Sequence, residues 1–116
     1  MNPDCLFCKI ANGDPEKLVW ENEYVAAFND IHPKAPVHVL VTPKQHINSF
    51  DELDDPMQTT QLFQAVRQVA HFLNLKGRWR VIINVGRSAG QVIDHLHVHI
   101  LGGKDFTHAE VDNSAK

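Results

Sequence analysis

The amino-acid sequence predicts an α+β domain built from a five-stranded antiparallel sheet, one long helix and one short helix. Strand-like segments come in two runs, three before and two after the only extended segment that has apolar residues at helical spacing. Consecutive strands favour antiparallel pairing, whereas a parallel sheet needs a long crossover between its strands. The chain has 116 residues, of which 43% are hydrophobic, so we expect a single domain over 1–116 with its own core.

The first half of the chain provides the short helix and three strands. CLFCKIANGD predicts a short helix that ends at Gly13. LVWEN and YVAAFND predict two strands that are joined by a polar turn around Asn22, as in a β-hairpin. VHVLVTP predicts a third strand, which ends at Pro43.

The second half provides the long helix and two more strands. Asp55 and Pro56 are typical of a helix start, because aspartate caps free N–H groups and proline suits the first turn. Gly77 is the predicted end of this helix, after four apolar residues at helical spacing: Leu62, Val66, Val69 and Leu73. RWRVIINV and IDHLHVHIL predict the fourth and fifth strands, with the tight loop GRSAGQ between them.

Composition and coverage of the sheet indicate which partners to expect. A single long helix leaves part of the sheet uncovered, so we expect a strand edge to pair with a second copy in a homodimer. The net charge is −3 without a basic block, which argues against a general nucleic-acid binder. No apolar run is long enough to span a bilayer, and the N-terminus lacks the pattern of a signal peptide. We therefore expect no membrane partner and a cytoplasmic location.

Cys5 and Cys8 form a C-x-x-C pair near the N-terminus. In a reducing compartment such a pair is more often a metal half-site or a redox dithiol than a structural disulfide. A thioredoxin-like dithiol follows a strand and begins a long helix, whereas no strand precedes this pair. The spacing alone leaves metal binding and plain burial of the two side chains equally open.

The segment DHLHVHILGG carries histidines at every second position: His95, His97 and His99. On a strand these side chains would share one face, about 6.5–7 Å apart, and the aliphatic residues between them would face the core. A solvated polar face is one alternative, although charged side chains suit that purpose better. A metal site made of all three is another, although next-nearest positions on one strand splay too far apart to close on a small ion.

HLHVHIL resembles the signature of the histidine triad (HIT) superfamily of nucleotidyl hydrolases and transferases, in which histidines alternate with apolar residues. The resemblance covers nearly the whole chain, through CLFCKI, AAFNDIHPKAPVHVLVTPKQHI, INVGRSAGQ and HLHVHILGG in the order and spacing of the family. It is closest to the small Hint-like branch of nucleoside phosphoramidases. The resemblance implies a HIT-like fold and a purine nucleotide as substrate.

The resemblance implies that His97 attacks the α-phosphorus and forms a covalent nucleotidyl-histidine, from which water releases the nucleoside monophosphate. A neutral imidazole suits this step, because one ring nitrogen is free to attack while the other holds a proton that an acceptor can orient. His99 is implied to contact a non-bridging phosphate oxygen or the leaving group.

Further residues match the phosphate, ribose and base sites of the family. Asn84 matches a residue near the scissile phosphate, and Gly90 and Gln91 would bring N–H donors close to the anion. Asp30 matches an acidic residue that accepts hydrogen bonds from ribose hydroxyls, with an ordinary turn aspartate as the alternative. Four apolar residues would lie beside the base, although each could equally belong to the core: Phe7, Ile10, Phe28 and Ile31.

The resemblance also implies a structural zinc as the only cofactor. In HIT relatives with an N-terminal C-x-x-C, the cysteines bind zinc together with the first triad histidine and a histidine that follows the central strand. This chain has all four residues: Cys5, Cys8, His46 and His95. Two thiolates and two imidazoles form a closed set that is typical of a structural zinc.

Two features depart from the family pattern. Val92 stands where Hint-like enzymes usually have serine or threonine, and the C-terminal tail, 104–116, lacks a Trp-Pro ending. Both features bear on the choice of substrate more than on the basic chemistry. The leading hypothesis is a purine nucleoside phosphoramidase. The alternatives are a dinucleoside polyphosphate hydrolase or nucleotidyl transferase and, from another class, a non-catalytic nucleotide-binding or scaffold protein.

Overall fold

Five antiparallel strands form one sheet in the computed structural model, which describes residues 4–107. Helix α1 (Leu6–Gly13) precedes strands β1 (Leu18–Glu21), β2 (Val25–Asn29) and β3 (Val37–Pro43), and helix α2 (Pro56–Phe72) precedes β4 (Trp79–Ile82) and β5 (Val98–Gly102). Short 3-10 helices lie in the connections at Pro15–Lys17, Phe50–Glu52 and Arg87–Ala89. The strand order is β1-β2-β3-β5-β4, so the predicted α+β fold with a five-stranded antiparallel sheet is confirmed. Over residues 4–107, no helix is long and apolar enough to cross a membrane.

The predicted turn and helix start form through short polar side chains. Asn22 Oδ1 accepts hydrogen bonds from the backbone N–H groups of Tyr24 and Val25, both at 2.8 Å, which closes the β1–β2 hairpin. Asp55 Oδ1 accepts from the backbone N–H of Met57 at 2.8 Å and caps α2. Both features agree with the sequence-based prediction.

Helix α2 ends at Phe72, before the predicted end at Gly77. Asn74 adopts a left-handed conformation with φ of 61°, and its N–H donates to His71 O at 3.0 Å. The N–H of Leu75 donates to Ala70 O at 2.9 Å, which completes a Schellman motif. Asparagine tolerates the left-handed conformation, so it ends the helix before the glycine is reached.

Strand β5 also differs from the prediction, because it begins only at Val98 instead of covering IDHLHVHIL from its start. The backbone of Leu96 is bonded elsewhere: its N–H donates to Ile47 O at 2.7 Å, and its carbonyl accepts from the Thr42 hydroxyl at 2.7 Å. Of the three histidines only His99 lies on β5, so the expectation that one strand face carries all three is wrong. His95 and His97 precede the strand, and Nδ1 of His95 contacts the sulfur atoms of Cys5 and Cys8.

The two helices cover opposite faces of the sheet. The larger core lies under α2 and contains the inward-facing side chains of the strands and of Leu62, Val66 and Val69. The smaller core lies under α1 and consists of Cys5, Phe7, Cys8, Phe28 and Leu40. The functional histidines lie on the α1 side, where Leu40 pairs with His99 across β3 and β5.

Candidate functional site

A pocket of about 240 Å³ opens on the α1 side of the sheet. Its walls come from α1, from the β2–β3 connection, from the loop after β4 and from the start of β5. Most of the lining side chains are apolar, and His97 and His99 supply the imidazoles. The structure places all four predicted base-site residues on this lining: Phe7, Ile10, Phe28 and Ile31.

The ring of His97 is held in one orientation. Its Nδ1 lies 2.7 Å from the backbone carbonyl of His95, and a carbonyl can only accept, so Nδ1 carries the proton. The Phe7 ring packs edge-on against the imidazole, with centroids 5.0 Å apart. Nε2 therefore keeps its lone pair, which is the form a nucleophile needs.

The ring of His99 is oriented by a chain of hydrogen bonds that begins in the backbone. The N–H of Lys34 donates to Nδ1 of His38 at 2.9 Å, so a neutral His38 carries its proton on Nε2. That Nε2–H donates to Nδ1 of His99 at 2.9 Å. A neutral His99 then carries its own proton on Nε2, which makes this nitrogen a hydrogen-bond donor.

Burial keeps these imidazoles neutral. Burial, with a smaller effect from the nearby rings of His97 and His38, lowers the pKa of His99 to about 4 against the opposing effect of Asp30. Burial also lowers the pKa of His97, against the opposing effects of its bond to the His95 carbonyl and of Asp30. Near neutral pH, His97 is therefore an unprotonated base, and His99 donates through a single N–H.

Asp30 lies on the pocket lining, and both of its carboxylate oxygens have contacts. Oδ1 accepts from the backbone N–H of His32 at 2.8 Å, and Oδ2 lies 3.3 Å from Nε2 of His38. A carboxylate oxygen can accept more than one hydrogen bond, so this side chain still has capacity for hydroxyl donors. Asp30 therefore has the turn role and also lies at the pocket, where its contact with a ribose stays a prediction.

The loop before β5 is braced from within. Gly90 has φ of 98°, which favours glycine, and it lines the pocket. Asn84 Nδ2 donates to Ala89 O at 2.8 Å, while its Oδ1 is buried without a hydrogen-bond partner. Ile82 pairs with His99 across β4 and β5, and Asn84 comes two residues after Ile82. Asn84 therefore lies near the start of β5.

Gln91 has a supporting position instead of the predicted one beside the anion. Its Nε2 donates to Asn48 O at 2.7 Å and to Ile93 O at 3.0 Å, while its Oε1 accepts from Gly86 N at 2.9 Å. Both of its side-chain N–H groups are already donated, and the residue is buried. The expectation that this amide donates to a phosphate is not met. Gln91 instead holds the loop that presents Gly90.

Four side chains form a candidate metal centre beside the pocket: Cys5, Cys8, His46 and His95. Nδ1 of His95 lies 3.3 Å from Sγ of Cys5 and 3.4 Å from Sγ of Cys8, and Nδ1 of His46 lies 3.3 Å from Sγ of Cys8. All four donor atoms lie within 4.8 Å of one another. Neighbouring donor atoms in tetrahedral zinc sites are about 3.5 Å apart, so the set matches that geometry.

The remaining nitrogens of both imidazoles are satisfied in a way that suits metal binding. Nε2 of His95 donates to Pro43 O at 2.8 Å, and Nε2 of His46 lies 2.7 Å from Asn48 Oδ1. Each Nδ1 is thereby left unprotonated toward the cysteines, as second-shell hydrogen bonds do in metal sites. Burial lowers the pKa of His95 to about 4, which keeps the ring in its metal-binding form.

Asp30, His38 and His99 form a second group of potential ligands within 4.8 Å. Here the hydrogen bonds argue against an ion. If Nε2 of His38 bound a metal, the neutral ring would carry its proton on Nδ1, where the N–H of Lys34 already points. The group therefore fits a proton-bearing chain and not a metal centre.

His38 is the site residue to which the sequence assigns no role. Its place in the third strand, VHVLVTP, is compatible with a side chain that faces the site. Its contact with His99 depends on the register of β3 against β5, which the sequence does not reveal. His71, which also received no role, is exposed on α2.

Comparison with known proteins agrees with this fold. The HIT domain model matches residues 12–106. An uncharacterized HIT-like protein of Methanocaldococcus jannaschii is 41% identical over 100 residues, which cover 84% of this chain and 77% of the relative.

Two solved structures are similar over nearly their whole length. A histidine triad protein from Clostridium difficile is 40% identical with a TM-score of 0.85, covering 95% of this chain and 99% of the other. A HIT family hydrolase from Legionella pneumophila Philadelphia 1 is 35% identical with a TM-score of 0.83, covering 91% and 98%.

Proposed function

Because this chain belongs to the HIT domain family, we propose that it is a nucleotide hydrolase that acts at the α-phosphate through a covalent nucleotidyl-His97 intermediate. Its similarity to a HIT family hydrolase supports a hydrolase-like role. The observation that carries the proposal is the Nδ1–H bond of His97 to the His95 carbonyl, which leaves Nε2 as the nucleophile.

In the first step Nε2 of His97 forms a bond to phosphorus, and the bond from phosphorus to the leaving group breaks. For a phosphoramidate, the electron pair of the P–N bond goes to nitrogen, which takes a proton from water. The imidazole becomes cationic, and its Nδ1–H remains bonded to the His95 carbonyl. Nε2–H of His99 donates to a phosphate oxygen and stabilises the charge that develops there.

In the second step water attacks phosphorus, the P–Nε2 bond breaks, and the proton that the attacking water loses neutralises the hydroxide left when the amine took its proton. The electron pair returns to His97, and the products are a nucleoside monophosphate and the free enzyme. The two steps exchange one amine for one hydroxyl at phosphorus, so atoms and charge balance. The two steps share one covalent intermediate, which predicts ping-pong behaviour.

We propose a purine nucleoside phosphoramidate as the substrate. The apolar walls provided by Phe7, Phe28 and Ile31 would contact the faces of a base with little selection at its edge. Asp30 would accept from the ribose hydroxyls. A panel that compares adenosine phosphoramidate with diadenosine polyphosphates separates this proposal from a dinucleoside polyphosphate hydrolase.

Zinc, a homodimer and a cytoplasmic location complete the proposal. Bound zinc would have a structural role and would take no part in the reaction. It would cross-link Cys5, Cys8, His46 and His95. A reducing compartment suits thiolate ligands. Elemental analysis of protein purified without added metal should find about one zinc per chain. Metal-free protein with reactive Cys5 and Cys8 thiols would contradict the zinc assignment.

The function is tested by replacing the nucleophile. His97→Ala should lower the turnover of adenosine phosphoramidate by about a thousandfold or more, while AMP binding and the circular dichroism spectrum are retained. His71→Ala is the matched control, because it removes an exposed imidazole from α2 and should keep full activity. Undiminished turnover in His97→Ala would refute the proposal.

A further inference from the structure

Helix α1 connects the candidate metal centre to the pocket. The helix provides two of the four side chains of the candidate metal centre. Cys5 is the N-cap of α1, and Cys8 lies in its first turn. Leu6, Phe7 and Ile10, interleaved with those cysteines, line the pocket. Any change that moves the cysteines relative to the sheet must therefore also move one wall of the pocket.

His95 provides a second connection, which reaches the nucleophile. Its ring Nδ1 lies 3.3 Å from Cys5 Sγ, while its backbone carbonyl accepts from Nδ1 of His97 at 2.7 Å. The Phe7 ring contacts both imidazoles, with centroids 6.2 Å from His95 and 5.0 Å from His97. The position of the His95 backbone therefore decides whether His97 keeps its Nδ1–H tautomer.

The anchoring of α1 depends on the same side chains. The helix has only eight residues, and a helix this short is unstable without tertiary contacts. Its buried contacts lie in the smaller core, in which Cys5 and Cys8 are themselves members beside Phe7, Phe28 and Leu40. The thiols of Cys5 and Cys8 contact the two imidazoles at 3.3–3.4 Å, and sulfur hydrogen bonds of this kind are weak compared with metal–thiolate bonds.

We propose that metal binding and nucleotide binding are coupled through α1 and His95, which makes the metal ligands positioning residues for the pocket wall and for His97. This inference rests on the proposed function, because it requires a nucleotide in the pocket. Coupling of this kind is reciprocal: the nucleotide tightens metal binding by the same factor by which the metal tightens nucleotide binding.

The test measures both halves of this cycle at equilibrium with zinc and AMP. The zinc affinity is determined by competition with a chromophoric chelator, with and without saturating AMP. The AMP affinity is determined by calorimetry for the zinc-loaded and the zinc-free protein. The chelator is calibrated with AMP alone, so that zinc bound by AMP is not counted. We expect both ratios to be equal and to be about fivefold or larger.

Two variants locate the connection. Phe7→Leu changes a pocket residue on α1 and should reduce the coupling ratio toward one. Ile31→Ala changes a pocket residue on the β2–β3 connection, away from the metal centre, and should weaken AMP binding while the ratio is retained. The coupling is the ratio of the AMP affinities measured with and without zinc. A variant that weakens AMP binding equally in both states therefore leaves this ratio unchanged.

A spectroscopic measurement separates positioning from mere stability. The 15N chemical shifts of His97 should report the Nδ1–H tautomer in the zinc-loaded protein and a mixture of tautomers after zinc removal. Leu62→Ala, which destabilises the larger core under α2, should leave the His97 shifts unchanged.

The outcomes distinguish this inference from the proposed function. If the zinc-loaded protein binds AMP but zinc affinity is the same with and without AMP, the coupling is wrong and the hydrolase proposal stands. An unchanged His97 tautomer after zinc removal also overturns the positioning role. If the zinc-loaded protein does not bind AMP, both proposals are refuted.

Discussion

Nε2 of His38 lies 2.9 Å from Nδ1 of His99, and this contact determines which nitrogen of His99 carries the proton. The determinant is the backbone N–H of Lys34, which occupies the other nitrogen of His38. A main-chain donor in the β2–β3 connection thereby orients a side chain on β5. Preorganised donors of this kind stabilise developing charge without the cost of reorganisation.

Replacing His38 should affect the chemical step more than substrate binding. In His38→Ala, Nδ1 of His99 loses its donor, so the ring can place its proton on either nitrogen. We expect kcat to fall by about tenfold or more and KM to change little, because the lost contact acts through His99 and touches no substrate atom. Steady-state kinetics with adenosine phosphoramidate measure this split, with His71→Ala as control. A raised KM with unchanged kcat would contradict the role assigned to the hydrogen bonds that connect Lys34, His38 and His99.

Burial of His99 predicts a pH-dependent stability. Its pKa of about 4 lies below the ordinary 6.5, so the unfolded chain takes up a proton at this residue before the folded protein does. The stability from the neutral ring is complete above pH 6.5 and is lost as the pH falls to about 4. The loss is at most about 3 kcal/mol, since one pKa unit corresponds to about 1.4 kcal/mol.

Urea unfolding at several pH values measures this dependence. The free energy of unfolding should decrease less between pH 6.5 and 4 in His99→Gln than in the wild-type protein. His71→Ala, which removes an exposed imidazole, should show the same decrease as the wild-type protein. Identical slopes for His99→Gln and the wild-type protein would show that His99 is not the responsible group.

Val92 lines the pocket and is 67% exposed. Its side chain has no hydrogen-bonding group. Val92→Ser should restore a hydroxyl donor at this wall and raise kcat/KM for phosphoramidates with poor leaving groups. About fivefold is expected, which corresponds to one net hydrogen bond of about 1 kcal/mol. Val92→Ala removes the same apolar surface without adding a hydroxyl, so an equal gain in both variants would contradict this account.

Strand β4 is an edge of the sheet, and its Val81 is 41% exposed. The predicted homodimer pairs a strand edge with a second copy, and β4 is taken as that edge for this test. Val81→Lys should therefore shift the protein toward the monomer in sedimentation velocity experiments, because a buried lysine at the interface is costly. Glu23→Lys lies in the turn at the other end of the sheet and should leave the assembly unchanged. A wild-type protein that is monomeric at high concentration would contradict the prediction.

Local signals in the sequence predicted most of the fold. Asn22, Asp55 and Pro43 act through short-range hydrogen bonds or steric limits, and each appears where the sequence places it. The end of α2 was misplaced, because Asn74 already adopts a left-handed conformation three residues before Gly77, whose φ is positive as well. Either residue can end a helix, and only the packing of the following chain decides between them.

The candidate site was predictable where one residue type points to one chemistry. The four potential metal ligands form one group and His97 and His99 line the pocket, as the family pattern implies, whereas the contacts of Gln91 and His38 do not follow from it. The Gln91 amide is used by three backbone groups, and the His38 ring receives its orientation across two strands. Such contacts depend on the register between distant segments, which local patterns do not determine.

The central claim is that His97 attacks phosphorus through Nε2. Its most direct test is a single-turnover reaction with adenosine phosphoramidate, quenched in alkali within the first turnover, followed by proteolysis and mass spectrometry of the peptide that contains His97. The proposal predicts one adenylyl group on His97, which disappears as AMP is released, and none in His97→Ala. Full turnover with no adenylylated peptide at any time, or with the group on another residue, would contradict it.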